Sequence, residues 1–192
     1  HVACCGLKVS GRPQDWEALV PDTAANAQLL RQELRLLHAS FAQAPLLGSL
    51  LDPAKSLKND LATSSFETLK GLLDQALAVS PAPTLWGEDE GRWENALAAQ
   101  GLMEAARLLD ARYHLVVTNV PYLGREGHDN ELIAYAERVA PDAAADLATL
   151  MLDRCLQLTD HTGTAAIVLP QNWWVGKSYE SFRQRILASS CW

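Results

Sequence analysis

Two short apolar runs, Leu115-Val116-Val117 and Ala165-Ala166-Ile167-Val168-Leu169, constrain the fold of this chain more than anything else in it. Each is closed by turn residues, and each has the composition expected of a fully buried parallel strand. Between them lie two stretches of helical periodicity, at about 130–139 and 143–158. The second carries Leu147, Leu150, Met151 and Leu158 on one face, with Asp142 as the expected N-cap and Gly163 near its stop. A last helix starts near Ser178 and carries Tyr179, Phe182 and Ile186. Strands alternating with helices imply a doubly wound α/β sheet, which binds ligands at the carboxyl ends of its strands.

The first part of the chain reads differently. From residue 10 to about 112 it is helical, with loops marked by proline and glycine. Leu29, Leu30, Leu34, Leu37 and Phe41 recur at helical spacing and stop before Pro45. Ser64 and Glu67 form a capping-box pattern ahead of Phe66, Leu69, Leu72, Leu73 and Leu77, a helix broken by Pro81 and Pro83. After an acidic loop at Glu88–Glu90, Trp93 opens a helix bearing Leu97, Leu102, Met103, Ala106 and Leu109. The expected division is a mainly helical segment over 1–112 and an α/β part over 113–192.

Composition excludes several classes. A net charge of −7 over 192 residues argues against this segment carrying the main phosphate-binding surface. No run approaches the ~18 apolar residues of a membrane span. Cys4, Cys5, Cys155 and Cys191 include no C-x-x-C pair, which argues against a zinc site. Adjacent Cys4 and Cys5 among apolar neighbours read as buried thiols in a reducing, cytoplasmic setting.

The chemistry concentrates at the end of the first apolar run, in Asn119-Val120-Pro121-Tyr122. Methylating an exocyclic amino group requires drawing its lone pair out of the ring and aiming it at a methyl donor. Two acceptors on the amino hydrogens do this. The Asn119 side-chain oxygen is one. The Val120 carbonyl is the other, and Pro121 biases Val120 toward an extended backbone that presents it. Tyr122 supplies a ring on which an extruded base can stack, worth roughly 1–3 kcal/mol. Neither a metal nor a strong base is needed, since positioning carries most of the rate. A strand ending in Asn and Pro can also simply make a turn.

This segment resembles the Asn-Pro-Pro-Tyr motif of class I adenine-specific DNA methyltransferases. The likeness extends to the large methyltransferases of type IIG restriction–modification and BREX phage-defence systems. It is carried by Leu115–Gly124, by Ala-Asp-Leu-Ala-Thr-Leu at 145–150 and by Leu-Pro-Gln-Asn-Trp-Trp at 169–174. Ala-Cys-Cys-Gly-Leu-Lys (3–8) and Leu-Leu-Gly-Ser-Leu-Leu-Asp (46–52) are similar to the part preceding that motif in the BREX enzymes. The resemblance implies a partial Rossmann-like methyltransferase sheet. It also implies S-adenosylmethionine as methyl donor and double-stranded DNA with a flipped adenine as substrate, with other defence-system subunits as partners. Asn119, Val120, Pro121 and Tyr122 become the catalytic loop. Val120 stands where the family has its first proline, which keeps the acceptor carbonyl and loses backbone stiffness.

One part of such a site is absent from the sequence. The methyl donor requires a glycine-rich turn and an acidic residue for its ribose, and no G-x-G occurs in the chain. With His1 at its start and Ser190-Cys191-Trp192 at its end, the chain is expected to be a fragment whose cofactor half lies upstream. Gly176-Lys177-Ser178 imitates a P-loop, but Gln171 occupies the place of that motif's first glycine. Lys177 is therefore a solvent or phosphate contact. With Arg183 and Arg185 it makes the last stretch locally basic, either facing DNA or as a solvated helix face. Trp173 and Trp174 line the base cavity or pack into the core. Asp146 either reaches the site or serves a helix start. His114 and His128 read as structural or surface residues.

Two alternatives accompany the leading one. A protein-glutamine or RNA amino-methyltransferase also uses an Asn-Pro-Pro-Tyr-like loop, but it carries its glycine-rich turn a short distance upstream. A truncated, non-catalytic DNA-binding or assembly module is the other.

Overall fold

The computed structural model describes residues 3–6, 8–24, 26–53 and 90–189. The capping-box helix expected after Ser64, its proline break, most of the acidic loop at Glu88–Glu90 and Cys191 lie outside the described residues. The chain divides into two compact units, His1–Ala111 and Arg112–Trp192.

In the first unit, α1 (Pro13–Glu17) packs on α2 (Ala27–Phe41), followed by α3 (Ala44–Leu47) and the long α4 (Glu90–Asp110). The apolar spacing of α2 buries Leu30, Leu34, Leu37 and Phe41 beside Trp16, Leu19 and Val20. The Trp16 indole donates to the Ser10 carbonyl at 3.0 Å and meets the His38 ring edge-on at 5.1 Å. In α4 the buried face is Ala96, Ala99, Leu102, Met103, Ala106 and Leu109. Leu97, expected on that face, is 47% exposed; the alanines one before and two after it take the interior positions.

The second unit is built on β1 (Tyr113–Asn119) and β2 (Thr159–Val168), which pair in parallel and end with Asn119 opposite Val168. Parallel pairing needs a crossover, here α5 (Asn130–Val139) and α6 (Leu147–Leu158). Beyond β2 come the short α7 (Asn172–Val175) and then α8 (Glu180–Ser189), which buries Phe182 and Ile186. Asp129 caps α5 by accepting from the Leu132 amide at 2.9 Å.

Several expectations need correction. α6 is capped by Asp146, not Asp142, and starts at Leu147. Pro141–Ala143 instead form a 3₁₀ turn, and the Asp142 carboxylate pairs with Arg185 at 2.7 Å. Gly163 is not near a helix stop but inside β2, which begins directly after α6 and six residues earlier than the apolar run. Tyr113 pairs with Thr159 while Leu115 pairs with Thr164, so the extra residues bulge out of β2 around an Asp160–Thr162 turn. Gly163 closes that bulge: a Cβ there would lie 2.7 Å from the Tyr113 carbonyl oxygen.

The strands are also not buried on both faces. Ala165 and Ile167 look toward a cleft shared with Leu152 and Leu156 of α6 and Ile186 of α8. On the opposite face Leu115, Val117 and Val168 are 61%, 68% and 59% exposed. Among the described residues the sheet has two strands, and the second unit's own helices cover one face of it. The structure is thus mixed α/β with a helical first part, and the described residues do not form a doubly wound sheet. Cys4 is exposed and Cys5 half-buried, so the expected burial of that pair does not hold; Cys155 is the buried thiol. Burial pushes the Cys155 thiol up from its ordinary value.

Candidate base-binding site

β1 ends at Asn119 because the chain turns away from the ladder at Val120-Pro121. Val120 is buried, 3% exposed, while Asn119, Pro121 and Tyr122 face solvent. Val120 thus anchors the loop by its side chain, with polar and aromatic groups displayed on either side. The Tyr122 hydroxyl donates to Asn119 Oδ1 at 3.3 Å. That is long for a hydroxyl donor and exposed, so water or a substrate amino group can displace it at little cost.

The chain after Tyr122 is tied down densely. The Leu123 carbonyl accepts from the Leu147 amide at 2.9 Å and from His128 Nε2 at 3.1 Å. A carbonyl only accepts, so Nε2 of this buried side chain is the donor in that bond. Gly124 forms an antiparallel bridge with Asp146, and the Arg125 amide donates to the Ala145 carbonyl at 3.3 Å. Arg125 also pairs with Glu137 of α5. His128 is therefore the structural residue of the two histidines in this region and His114 the surface one.

On the β2 side, Trp173 is buried, stacks on Trp174 at 4.4 Å and meets Phe182 edge-on at 6.0 Å. Packing accounts for Trp173; Trp174 is the ring of the pair that solvent reaches, 44% exposed. Lys177 is exposed. Arg183 and Arg185 are both engaged in polar contacts, and Arg185 still lies on an exposed face of the helix. Arg183 donates to the carbonyls of Trp173 at 2.8 Å and Gly176 at 3.2 Å. Arg185 pairs with Asp142 and with the buried Asp153, the latter at 2.8 Å. Those two carboxylates raise the Arg185 guanidinium, the Asp142 hydrogen bond most of all.

Asp146 serves the helix start: Oδ1 accepts from the Thr149 amide at 2.7 Å. Its Oδ2 accepts from the Tyr179 hydroxyl at 2.6 Å, a contact no local pattern signals because the two residues are 33 apart. Among the described residues no group of three or more His, Cys, Asp or Glu side chains could hold a metal ion. None of the described helices is long and apolar enough to cross a membrane.

Among the described residues, those at the carboxyl ends of β1 and β2 do not fit a methyl donor of the kind a glycine-rich turn holds. The turns after β1 and β2 are Val-Pro-Tyr and Pro-Gln-Asn-Trp, with side chains where close backbone approach to the donor needs glycine. What the exposed part of the site offers is an amide oxygen and an aromatic ring, with Val120 buried between them.

Over 173 residues the chain is 28% identical to the adenine-specific methyltransferase BrxX of Escherichia coli O9:H4 (strain HS), which covers 88% of the chain and 13% of that protein. Over 146 residues it is 23% identical to the adenine-specific methyltransferase PglX of Lacticaseibacillus casei (strain Zhang), covering 76% of the chain and 11% of the relative. The chain thus spans about an eighth of the length of these relatives. Residues 27–192 match the model of the Eco57I restriction-modification methylase, and by that match the chain belongs to the Eco57I restriction-modification methylase family.

Proposed function

We propose that this chain is the base-holding part of an S-adenosylmethionine-dependent DNA adenine N6-methyltransferase that serves restriction–modification or phage defence in the cytoplasm. The observation that carries this reading is the Asn119–Tyr122 loop: an exposed amide and an exposed ring at a strand's carboxyl end, held by a buried Val120. An adenine flipped out of double-stranded DNA stacks on Tyr122. Its amino hydrogens are taken by Asn119 Oδ1 and the Val120 carbonyl, which directs the nitrogen lone pair outward. Pro121 biases Val120 toward the extended backbone that would turn that carbonyl to the base. Trp174 and Lys177, both exposed, are available to the extruded base and to a neighbouring phosphate.

The donor supplies the methyl group when bound. We assign its site to sequence outside these 192 residues, in keeping with the absence of a G-x-G turn and with the small share of the relatives' length covered here. Calorimetric titration of S-adenosylmethionine into the 192-residue chain is expected to show no micromolar binding. In the intact protein, Asn119→Ala is expected to abolish N6-methyladenine in genomic DNA while leaving the unfolding transition unchanged. Retained methylation in that variant would remove the role given to Asn119. A non-catalytic module is the competing reading, favoured by Val120 in place of proline; wild-type protein that never methylates adenine would establish it.

A further inference from the structure

The Asn119–Tyr122 loop and the turn bearing Trp173 and Trp174 leave the same end of the sheet, because β1 and β2 are parallel and finish at Asn119 and Val168. One residue is bonded to the segments that directly follow each of them, at Gly124 and at Tyr179. Through its backbone neighbourhood Asp146 holds the first loop: Gly124 bridges it, Ala145 accepts the Arg125 amide and Leu147 donates to the Leu123 carbonyl. Through Oδ2 it holds Tyr179, which ends the second turn. The Tyr179 ring lies against Gly176, where an added Cβ would come within 2.8 Å of it. Arg183 fastens Trp173 and Gly176 to α8 from the other side.

Capping α6 does not require this arrangement. A helix N-cap needs one acceptor, and Oδ1 supplies it to the Thr149 amide. The second oxygen is buried with its residue, 7% exposed, and faces a hydroxyl whose own residue is 9% exposed. A charge-assisted bond sheltered from water is stronger and more directional than a neutral exposed one.

We infer that Asp146 and Tyr179 are positioning residues, whose hydrogen bond joins the loop that holds the adenine to the turn that carries Trp174 and sets the two as one rigid unit. The catalytic meaning of this coupling rests on the proposed function; the coupling itself does not. Burial, with the carboxylate second, pushes the Tyr179 phenol up to about 12, which keeps the donor hydrogen in place through the neutral range.

The test is Tyr179→Phe in the intact protein, which retains the ring and removes only the hydroxyl. Hydrogen exchange read by mass spectrometry is expected to quicken roughly tenfold at the amides of Arg125 and Leu147 as well as at Trp174 and Gly176, while β1 and β2 keep their protection. On duplex DNA with 2-aminopurine at the target adenine, the flipping signal is expected to fall. With adenine there, kcat is expected to drop about tenfold while KM for DNA stays within twofold. Asp146→Asn, which keeps the Oδ1 cap and leaves Tyr179 only a neutral bond of reversed direction, is expected to change the same amides to a smaller extent. Faster exchange confined to residues near Tyr179 overturns the coupling, whatever the activity. Faster exchange in both loops with kcat and the flipping signal unchanged overturns the positioning role. Wild-type protein that methylates no adenine removes the proposed function, and with it any catalytic meaning of the pair, while the exchange pattern still decides the coupling.

Discussion

Tyr122 offers the sharpest division between a base platform and an ordinary turn residue, because its ring and its hydroxyl do separable things. The hydroxyl makes one bond, to Asn119 Oδ1, long at 3.3 Å and exposed. A neutral bond of that kind contributes at most about 0.5 kcal/mol. The ring is 56% exposed, so little folding energy depends on it, and either Tyr122→Phe or Tyr122→Ala is expected to shift stability by no more than about 0.5 kcal/mol. Stacking on an extruded base is worth roughly 1–3 kcal/mol. That corresponds to a factor of about 5 to 150, at about 1.4 kcal/mol per tenfold. Tyr122→Ala is therefore expected to lower kcat/KM for a duplex with a single target adenine by that factor. Tyr122→Phe, which keeps the platform, is expected to stay within about twofold of wild type, or to rise slightly because Asn119 Oδ1 is released. Steady-state methylation with radiolabelled donor gives both numbers. If Phe is as damaging as Ala, the hydroxyl does the work and stacking is refuted; if Ala is harmless, Tyr122 is a turn residue and nothing more.

Further outcomes follow from contacts elsewhere in the second unit. Arg185→Met leaves the buried Asp153 without its cation and is expected to cost about 2–3 kcal/mol in urea unfolding. Asp142→Ala, losing only the outer half of that ion pair, is expected to cost under about 1 kcal/mol. Gly163→Ala forces a Cβ against the Tyr113 carbonyl and is expected to destabilise by about 1–3 kcal/mol, seen as a lower Tm. The Tyr179 phenol is raised in the folded state to about 12. Its stabilising contribution is accordingly full below about pH 10 and is lost as pH climbs from there through about 12. Tyr179→Phe is expected to flatten that part of the stability profile, measured by chemical unfolding between pH 8 and 12.

Local patterns carried the helices well and the caps less well. The apolar spacing of Leu30, Leu34, Leu37 and Phe41 located α2, since one face of a 3.6-residue period must meet a core. Asp142 and Asp146 both precede sequence of helical composition, and only backbone geometry separates them. Asp146 has the extended conformation an N-cap needs, at φ −155° and ψ 167°. Asp142 was drawn off by Arg185, 43 residues away, which no window on the sequence reveals. The Asn119–Tyr122 loop was legible because its chemistry lies in four consecutive residues. The Asp146–Tyr179 bond was not, because folding brings those residues together. The apolar runs of β1 and β2 located the strands, but composition alone does not say which faces have cover, and Leu115, Val117 and Val168 remain exposed.

Val120 changes how damage in this protein should be read. A proline stiffens a loop through its own covalent ring, independent of its surroundings. A buried valine stiffens it only as long as the interior around it stays packed. Rigidity at the site is thus borrowed from the core. Under the proposed function, a substitution that loosens the packing around Val120 will register first as lost turnover and only later as lost fold. In a mutational screen such positions will look like members of the reaction centre.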